Sequence, residues 1–563
     1  MRSFLKFIIP FILIIPFLNE CASPISVSGG PKDTIPPTLL ESVPEMQAIN
    51  FKDNIIRLTF DEFVTADQLK QNLIITPSTE NKYVVQTKKT SVIIKFEEPF
   101  EDSTTYTFNF FKGITDITEK SPAENLVLPF STGPVIDSLI VSGSIKDLLT
   151  QEVEEGMTIG LYTLHDSLNY AKEKPRYFIN SNEQGFFQIT NIKSDQYKLF
   201  AFKDENSNLL FDAATEKHTF IPDTINLLAN YDTIQLNTIL LDITEPELLT
   251  GRPGGKYFEV RYNKALTSYQ AVTSDSLYEI YHRLNPDAAS LRFYPQAQYP
   301  DSLAVYLTAS DTLQQVTQDT IYIKFNESSK KQEKFTLTTT PKPNSSLPDS
   351  VKIQVAFNKP VVSFDQNAFT IKGDSLLTVP LSYYNPEFSL NHDKTNLTIQ
   401  YVFDWKQYSD SVASIINQSL PDSVTQVIDF NRFTFHANKG AIISIERDSS
   451  EVIENNYSVI EEIETGMIGF SIQIDQPSYF VELIDKKYNV IATKGNTPKG
   501  TFTRIPPGQY SLRVLIDSNN DGEWTYGNFN LNQAPEPVRL YPGFTELRAK
   551  WEINIDNFVI DNL

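Results

Sequence analysis

The sequence predicts an all-β protein built of tandem β-sandwich modules. Its short runs alternate apolar and polar residues at period two, as half-buried strands do, and turns containing Pro, Gly, Asn and Asp separate them. The clearest runs are residues 55–60, 91–96 and 105–110. Long helical patterns are nearly absent, whereas a parallel α/β sheet would need helical crossovers between its strands.

Length and composition bound the architecture. A chain of 563 residues should divide into about four or five domains, because single cores rarely grow past about 200 residues. Hydrophobic residues at 40% and aromatic residues at 12% predict packed interiors despite the net charge of -22. Seventy acidic residues against 48 basic ones disfavour nucleic acid as a partner, and one cysteine allows no internal disulfide.

The N-terminus has the pattern of an export signal. Arg2 and Lys6 precede an apolar run at 7–18, which ends shortly before Cys21. The run is shorter than the roughly 20 residues that span a bilayer, but its length suits a signal peptide. The pattern resembles a bacterial lipoprotein signal, which implies that residues 1–20 are removed and that Cys21 carries acyl chains. The alternative is a cleaved export signal of a soluble protein with an incidental cysteine.

The segment after Cys21 is rich in Pro, Ser and Gly and has no periodicity. We therefore interpret residues 21–33 as a lipidated N-terminus and tether. Its sequence Gly-Gly-Pro-Lys-Asp-Thr, which begins at Gly29, is similar to the opening of Ig-like lipoproteins of the Bacteroidetes.

Three motifs mark the first predicted module: the opening 33–37, the strand and turn at 58–64, and the closing Phe-Ser-Thr-Gly at 130–133. By these motifs, residues 34–133 resemble the bacterial Ig-like domain family of S-layer and envelope proteins. The resemblance implies a β-sandwich in an extracytoplasmic, often adhesive or structural setting, and it implies no catalytic activity.

Two fainter copies of the 58–64 motif stand at 260–266 and 355–361. We infer two further Ig-like sandwiches, at 244–330 and 335–438. The acidic tract that follows, 449–465, is predicted to be a surface strand pair or a linker before the last domain.

A sharper internal repeat lies elsewhere. Tyr197 and Tyr510 are separated by 313 positions, as are Asp204 and Asp517, and the segments around them align without gaps. This separation is far larger than a solenoid period, so it indicates two copies of one domain type. The copies resemble transthyretin-like or carboxypeptidase-regulatory-like β-sandwiches, and we assign them to 135–243 and 440–563.

Each copy contains a loop rich in Asp and Asn. The second loop has the alternate oxygen spacing that opens an EF-hand loop, but its twelfth position is Asn528 instead of a bidentate Glu. One interpretation is a structural calcium site, and the other is a hairpin turn held by side chain to backbone hydrogen bonds. The candidate ligands are Asp517, Asn519 and Asp521 in the second loop, and Asp204, Asn206, Asn208 and Asp212 in the first.

The residues give little support for catalysis or another cofactor. The histidines stand singly, and neither a P-loop nor a Gly-x-Ser-x-Gly motif is present. Phe dominates the aromatic residues, which favours core packing over sugar stacking. Trp524, inside the second loop, is the tryptophan we expect to be exposed and is a candidate contact residue.

These features predict a membrane-anchored envelope lipoprotein that acts as a non-catalytic scaffold. It would bind envelope or outer-membrane proteins and could be a subunit of an outer-membrane assembly. In the Bacteroidetes lipoproteins that this N-terminus resembles, surface export implies acidic residues just after the cysteine. None stands at 22–25, so the resemblance favours the periplasmic face of the outer membrane over the cell surface. The alternative is a carbohydrate- or cell-wall-binding lipoprotein, and a third hypothesis is an accessory enzyme or hydrolase.

Overall fold

The computed structural model describes residues 34–560 except 166, 255, 276, 279, 296–301, 326–332, 348–349, 374–376, 405–406, 408–409, 411–413, 415–417, 419–431 and 460–464. The predicted signal peptide, Cys21 and the predicted tether lie outside the described residues. The described chain is almost entirely β, which confirms the predicted fold class. Five successive segments, modules 1 to 5, each have a buried apolar cluster.

Module 1, residues 34–133, packs two sheets together. One sheet has the order β1-β2-β6-β5 and the other β4-β7-β9, and β3 pairs with β8. The alternation in β2 buries Ile56, Leu58 and Phe60 and exposes Arg57, as the period-two pattern predicts. The elements are β1 (Leu39–Val43), β2 (Ile55–Phe60), β3 (Val64–Thr65), α1 (Leu69–Asn72), β4 (Ile74–Thr76), β5 (Tyr83–Lys88), β6 (Ser91–Phe96), β7 (Thr105–Asn109), β8 (Thr115–Asp116) and β9 (Val127–Ser131).

Module 2, residues 135–243, has the sheets β13-β10-β17 and β12-β11-β14-β15, with β16 also pairing β14. Strands β10 and β17 run parallel. The strands are β10 (Leu139–Asp147), β11 (Thr158–Thr163), β12 (Tyr177–Asn180), β13 (Phe186–Ile192), β14 (Gln196–Phe202), β15 (His218–Phe220), β16 (Ile225–Asn226) and β17 (Tyr231–Thr238).

Module 3, residues 244–325, consists of a four-stranded sheet, β18-β19-β22-β21, and a three-stranded sheet, β20-β23-β24. The strands are β18 (Leu248–Pro253), β19 (Phe258–Tyr262), β20 (Ser268–Thr273), β21 (Tyr281–Leu284), β22 (Ser290–Tyr294), β23 (Leu303–Ser310) and β24 (Val316–Ile323).

Module 4 extends beyond its predicted end at 438. Strand β35 pairs antiparallel with β33 and parallel with β26, and its Ile453 and Tyr457 belong to the module's buried cluster. The acidic tract therefore begins with a strand of module 4. The elements are β25 (Leu337–Thr340), β26 (Ser346–Leu347), β27 (Ser350–Phe357), β28 (Val361–Phe364), a 3-10 turn (Gln366–Ala368), β29 (Phe369–Gly373), β30 (Leu377–Pro380), a 3-10 turn (Leu381–Tyr384), β31 (Glu387–Leu390), β32 (Asn396–Val402), β33 (Arg432–Ala437), β34 (Ile442–Ser444) and β35 (Ile453–Val459).

Module 5, residues 466–560, repeats the topology of module 2. Its sheets are β39-β36-β43 and β38-β37-β40-β41, with β42 also pairing β40 and with β36 and β43 parallel. In both copies the repeat tyrosine donates its hydroxyl hydrogen to a backbone carbonyl four residues earlier, at 2.9 Å, from Tyr197 to Lys193 and from Tyr510 to Pro506. The strands are β36 (Gly466–Gln473), β37 (Tyr479–Asp485), β38 (Val490–Gly495), β39 (Lys499–Ile505), β40 (Gly508–Ile516), β41 (Val538–Leu540), β42 (Thr545–Leu547) and β43 (Glu552–Val559).

The motif shared by modules 1, 3 and 4 has a structural role. The Asp or Asn that ends its strand accepts a hydrogen bond from a backbone N–H near the start of the same module. Thr38 donates to Asp61 at 2.8 Å, Glu247 to Asn263 at 2.9 Å and Thr336 to Asn358 at 2.8 Å. This side chain therefore holds the entry of the chain against the sandwich in all three modules.

Candidate functional site

The second Asx-rich loop, 517–523, is held by its own hydrogen bonds. Asp517 is fully buried, and its carboxylate accepts from the Ser478 hydroxyl at 2.6 Å and from the backbone N–H groups of Gly522 at 2.9 Å and Asp521 at 3.2 Å. The Ser478 hydroxyl, with these N–H groups, holds the pKa of Asp517 below its usual value. Asn519 donates to the Asp521 carboxylate at 2.8 Å.

The first loop repeats this arrangement. The Asp204 carboxylate accepts from the backbone N–H groups of Asn208 at 3.1 Å and Leu209 at 2.9 Å. Asn206 accepts from the Asn208 N–H at 3.1 Å, and Asp212 accepts from the Ala214 N–H at 3.0 Å.

Sequence reasoning missed a glutamate in each loop. Glu216 accepts from the N–H groups of Glu205 and Asp212, and burial raises its pKa. Glu536 accepts in the same way from Ser518 at 2.7 Å and Thr525 at 2.8 Å. Glu216 follows Asp204 by 12 positions and Glu536 follows Asp517 by 19, so the constant offset of the repeat ends before them.

Calcium binding in these loops stays a prediction. No three His, Cys, Asp or Glu side chains of the described residues are grouped as metal ligands would be, and the hydrogen bonds above are those of Asx turns. If the Asp517 loop holds calcium, removal of the ion with a chelator should lower the melting temperature, because the ion binds only the folded loop. An unchanged melting curve would favour the hairpin-turn interpretation.

Trp524 lies at the contact between modules 2 and 5. Its partly buried indole packs on a cluster formed by Leu148 and Ile239 of module 2 and by Leu515 and Val538 of module 5. Its Nε1 is buried and has no hydrogen-bond partner among the described residues. The structure thus places this predicted contact residue inside a contact within the chain.

The segment that follows the second loop carries Phe529 into module 2. This ring meets those of Tyr170, Phe200, His218 and Phe220 at centroid distances of 5.7, 5.6, 6.1 and 5.2 Å. The segment from Asp517 to Glu536 is longer than the corresponding segment from Asp204 to Glu216, and it contains the aromatic side chains that join the two repeat copies.

Polar contacts surround this apolar junction. The Tyr488 hydroxyl donates to Glu152 at 3.0 Å, and the Asn532 amide donates to the Pro222 carbonyl at 2.8 Å. Asn528 donates to the carbonyl of Leu313 in module 3 at 2.9 Å. Modules 2, 3 and 5 thus meet at one place, which we call the three-module junction.

Neighbouring modules are also joined by ion pairs. Arg176 of module 2 pairs with Glu101 of module 1 at 2.7 Å. Lys264 of module 3 donates to Asp311 at 2.7 Å and to the carbonyls of Asp242 and Thr244, at the end of module 2 and the start of module 3, at 2.8 Å. The Arg176–Glu101 pair thus links modules 1 and 2, and Lys264 links module 3 to the end of module 2 through the Asp242 carbonyl, whereas the Lys264–Asp311 pair lies within module 3.

The buried His218 should make the stability of module 2, at this junction, depend on pH. The side chain is 3% exposed, its ring faces Phe200, Phe211 and Phe529, and burial lowers its pKa to about 4 from 6.5. Stability should fall as the pH decreases from about 6.5 toward about 4, because the unfolded histidine takes up a proton in this range and the folded one does not.

His218→Phe should remove that part of the pH dependence. Melting temperatures of both proteins at about pH 7 and about pH 4.5 would measure it, since the carboxylates titrate in both proteins alike. An equal loss in the two proteins would contradict the prediction.

The fold and its junctions define a modular, almost entirely β protein of tandem sandwiches. The family model described as bacterial Ig-like domain matches residues 33–132, which confirms the resemblance of the first module. A search of curated proteins gives no match to the chain.

Several solved structures are similar to parts of the chain. The surface layer protein SbsC, domains 1-6, is 10% identical with a TM-score of 0.14, over 92% of this chain and 67% of that one. Dimeric latent PorU from Porphyromonas gingivalis is 9% identical with a TM-score of 0.21, and the match covers 58% of this chain and 36% of PorU. The Bacteroides ovatus glucan utilization protein SGBP-B, solved with a mixed-linkage heptasaccharide, is 11% identical with a TM-score of 0.16. This match covers 76% of this chain and 97% of SGBP-B. Likeness at this level indicates no function for this chain.

Proposed function

We propose that this protein is a lipid-anchored scaffold of the cell envelope that binds other envelope proteins without catalysing a reaction. The observation that carries the proposal is the three-module junction, where module 5 returns to pack on module 2. Apolar clusters, aromatic contacts and hydrogen bonds join segments more than 300 positions apart in sequence, from Tyr488 to Glu152.

A closed arrangement of this kind suits a scaffold. Interfaces between domains of one chain that are small and polar allow relative motion, whereas apolar contacts restrict it. The junction combines a buried apolar cluster with an inserted aromatic side chain, so loops on different modules would keep fixed mutual positions. Fixed loops present a partner with a surface that needs little ordering on binding.

The anchor in this proposal is the acylated Cys21, on the periplasmic face of the outer membrane. Two or more acyl chains hold a protein stably at a membrane, where one chain gives only reversible binding. Cys21→Ala should abolish labelling by radioactive palmitate and move the protein from the membrane fraction to the soluble fraction. Labelling that survives the substitution would overturn the anchor.

Co-purification of partner proteins tests the scaffold role. Tagged full-length protein, purified from detergent-solubilised native envelopes, should carry an outer-membrane assembly in stoichiometric amount, as mass spectrometry would show. Cys21→Ala is the matched control for co-purification that depends on the membrane. Recovery of the protein alone would contradict the scaffold role.

A further inference from the structure

The outward face of the three-stranded sheet of module 3 carries no charge. Cross-strand pairing places eleven strand residues on this face, which we call the neutral face. They are Ser268, Gln270, Val272, Ala304, Tyr306, Thr308, Ser310, Val316, Gln318, Thr320 and Tyr322. In a chain whose residues are 21% charged, a solvent-facing surface of this size without Lys, Arg, Asp or Glu is unusual.

The outer face of module 1 provides the contrast. Pairing of β1, β2, β6 and β5 also places eleven residues on one outward face. Four of them are charged, namely Glu41, Arg57, Lys88 and Lys95. The neutral face of module 3 therefore differs from an outward sheet face of the same size in module 1.

Aromatic and aliphatic side chains stand out from the neutral face. Tyr306 and Tyr322 are 53% and 64% exposed, and Val272 and Val316 are 49% and 62% exposed. Tyr306 lies opposite Thr320, so Tyr322 is its diagonal neighbour on the next strand, a position within reach of an aromatic side chain. Two exposed tyrosines thus lie near each other on the neutral face.

Uncharged hydrogen-bonding groups surround these rings. Among the described contacts, the side chains of Gln270, Thr308, Gln318 and Thr320 make no hydrogen bond to another protein group. Hydroxyls and amides can both donate and accept, which matches the hydroxyl groups of a sugar. An aromatic face can meanwhile cover the apolar face of a sugar ring.

The absence of charged side chains on the neutral face favours a neutral ligand over an anionic one. Nucleic acid and anionic polymers need cations for binding, and the neutral face offers none within a chain of net charge -22. A neutral polymer loses no ionic hydration on binding to an uncharged surface. At Val272 the face borders a separate cleft of about 460 Å³, whose lining includes Lys394 of module 4 over the Tyr281 ring.

We propose that the neutral face of module 3 binds a neutral polysaccharide, with Tyr306 and Tyr322 stacking on its sugar rings and the surrounding Gln and Thr side chains bonding to its hydroxyls. This activity goes beyond the scaffold role and uses a surface separate from the three-module junction.

Native gels cast with hydroxyethylcellulose, galactomannan or dextran test the proposal, with anionic alginate for comparison. The mature chain should be retarded by at least one neutral polymer and not by alginate. Tyr306→Ala and Tyr322→Ala should each weaken the affinity by about tenfold or more, as truncation of a central aromatic contact does. Both side chains are exposed, so neither substitution disturbs the core.

Tyr383→Ala is the matched control, since Tyr383 of module 4 is 63% exposed and lies outside the neutral face. It should bind as the unaltered chain does. Lack of retardation in all three neutral gels would overturn the proposal, as would equal weakening by Tyr383→Ala. A dimer in sedimentation that Tyr306→Ala dissociates, without retardation, would show that the face binds a second copy instead.

Discussion

Lys359→Met should destabilise module 4 by about 3–5 kcal/mol, because it leaves a buried carboxylate without its cation. The Lys359 side chain is 1% exposed, and it donates to Glu446 at 2.8 Å and to Asp448 at 2.6 Å. Glu446 is itself only 7% exposed. Methionine keeps the length and apolar character of the side chain, so the lost charge dominates the effect.

Hydrogen exchange of the full-length protein would measure the effect where it arises. Peptides from β27 and β32 should lose protection in Lys359→Met, while peptides from module 1 should not. Lys439→Met is the matched control, because Lys439 pairs with Glu451 where both side chains are more than half exposed, at 64% and 76%. An exposed pair contributes at most about 1 kcal/mol, so equal loss of protection in the two variants would contradict the prediction.

The ion pairs of Lys359 should stabilise module 4 only up to a certain pH. Burial alone would lower the pKa of Lys359, but the hydrogen bonds to Asp448 and Glu446 outweigh it and raise the pKa above the usual lysine value of 10.5. A folded pKa above the unfolded one means that this stabilisation is complete below about pH 10.5 and is lost as the pH rises through the folded value.

The fold class and the repeats could be predicted because they depend on local pattern. Alternation at period two reports which face of a strand is buried, and β2 follows it from Ile56 to Phe60. The repeat tyrosines and the Asp or Asn of the Ig-like motif bond to backbone groups, whose positions follow from the fold. Such contacts recur wherever the motif recurs.

The buried charges could not be predicted, because their partners are distant in sequence. Lys264 and Lys359 stand at the same place in two copies of one motif, after Asn263 and Asn358, where a lysine would ordinarily be solvated. Their acceptors Asp311 and Glu446 lie 47 and 87 positions away. Only the packed structure brings them together.

Two other features were hidden for related reasons. In β35 the polar Asn455 stands between Ile453 and Tyr457 on the buried face, which interrupts the apolar alternation, so the end of module 4 was predicted too early. Trp524 follows the exposed polar residues 518–523, which predicts exposure, yet its indole packs on the cluster that modules 2 and 5 share. Contacts between modules leave no periodic signal in either partner.

Phe529→Ala should open the three-module junction. The ring meets four aromatic rings of module 2, and burial of a phenylalanine side chain contributes up to about 1.5–3 kcal/mol when it is complete. The open population should therefore rise by about tenfold or more. Modules 2 and 5 keep their separate cores, so both should stay folded.

Thiol labelling measures this opening directly. In a Cys21→Ala background, Val538→Cys places one thiol in the junction, where Val538 is 1% exposed. A maleimide should then react about tenfold faster, or more, when Phe529→Ala is added, because reaction requires the modules to separate. Leu531→Ala is the matched control, since Leu531 is 67% exposed two residues away and should not change the rate.

A second reporter separates opening of the junction from unfolding of module 5. Val481, fully buried in the core of module 5, is replaced by cysteine in place of Val538. Its labelling rate should be the same with and without Phe529→Ala. Acceleration at both positions would mean that Phe529 stabilises module 5 itself, and an unchanged rate at Val538→Cys would mean that the modules are held together without it. Acceleration only at Val538→Cys would make the return of module 5 onto module 2 an equilibrium that a partner bound to both modules could shift, since a ligand favours the state to which it binds more tightly.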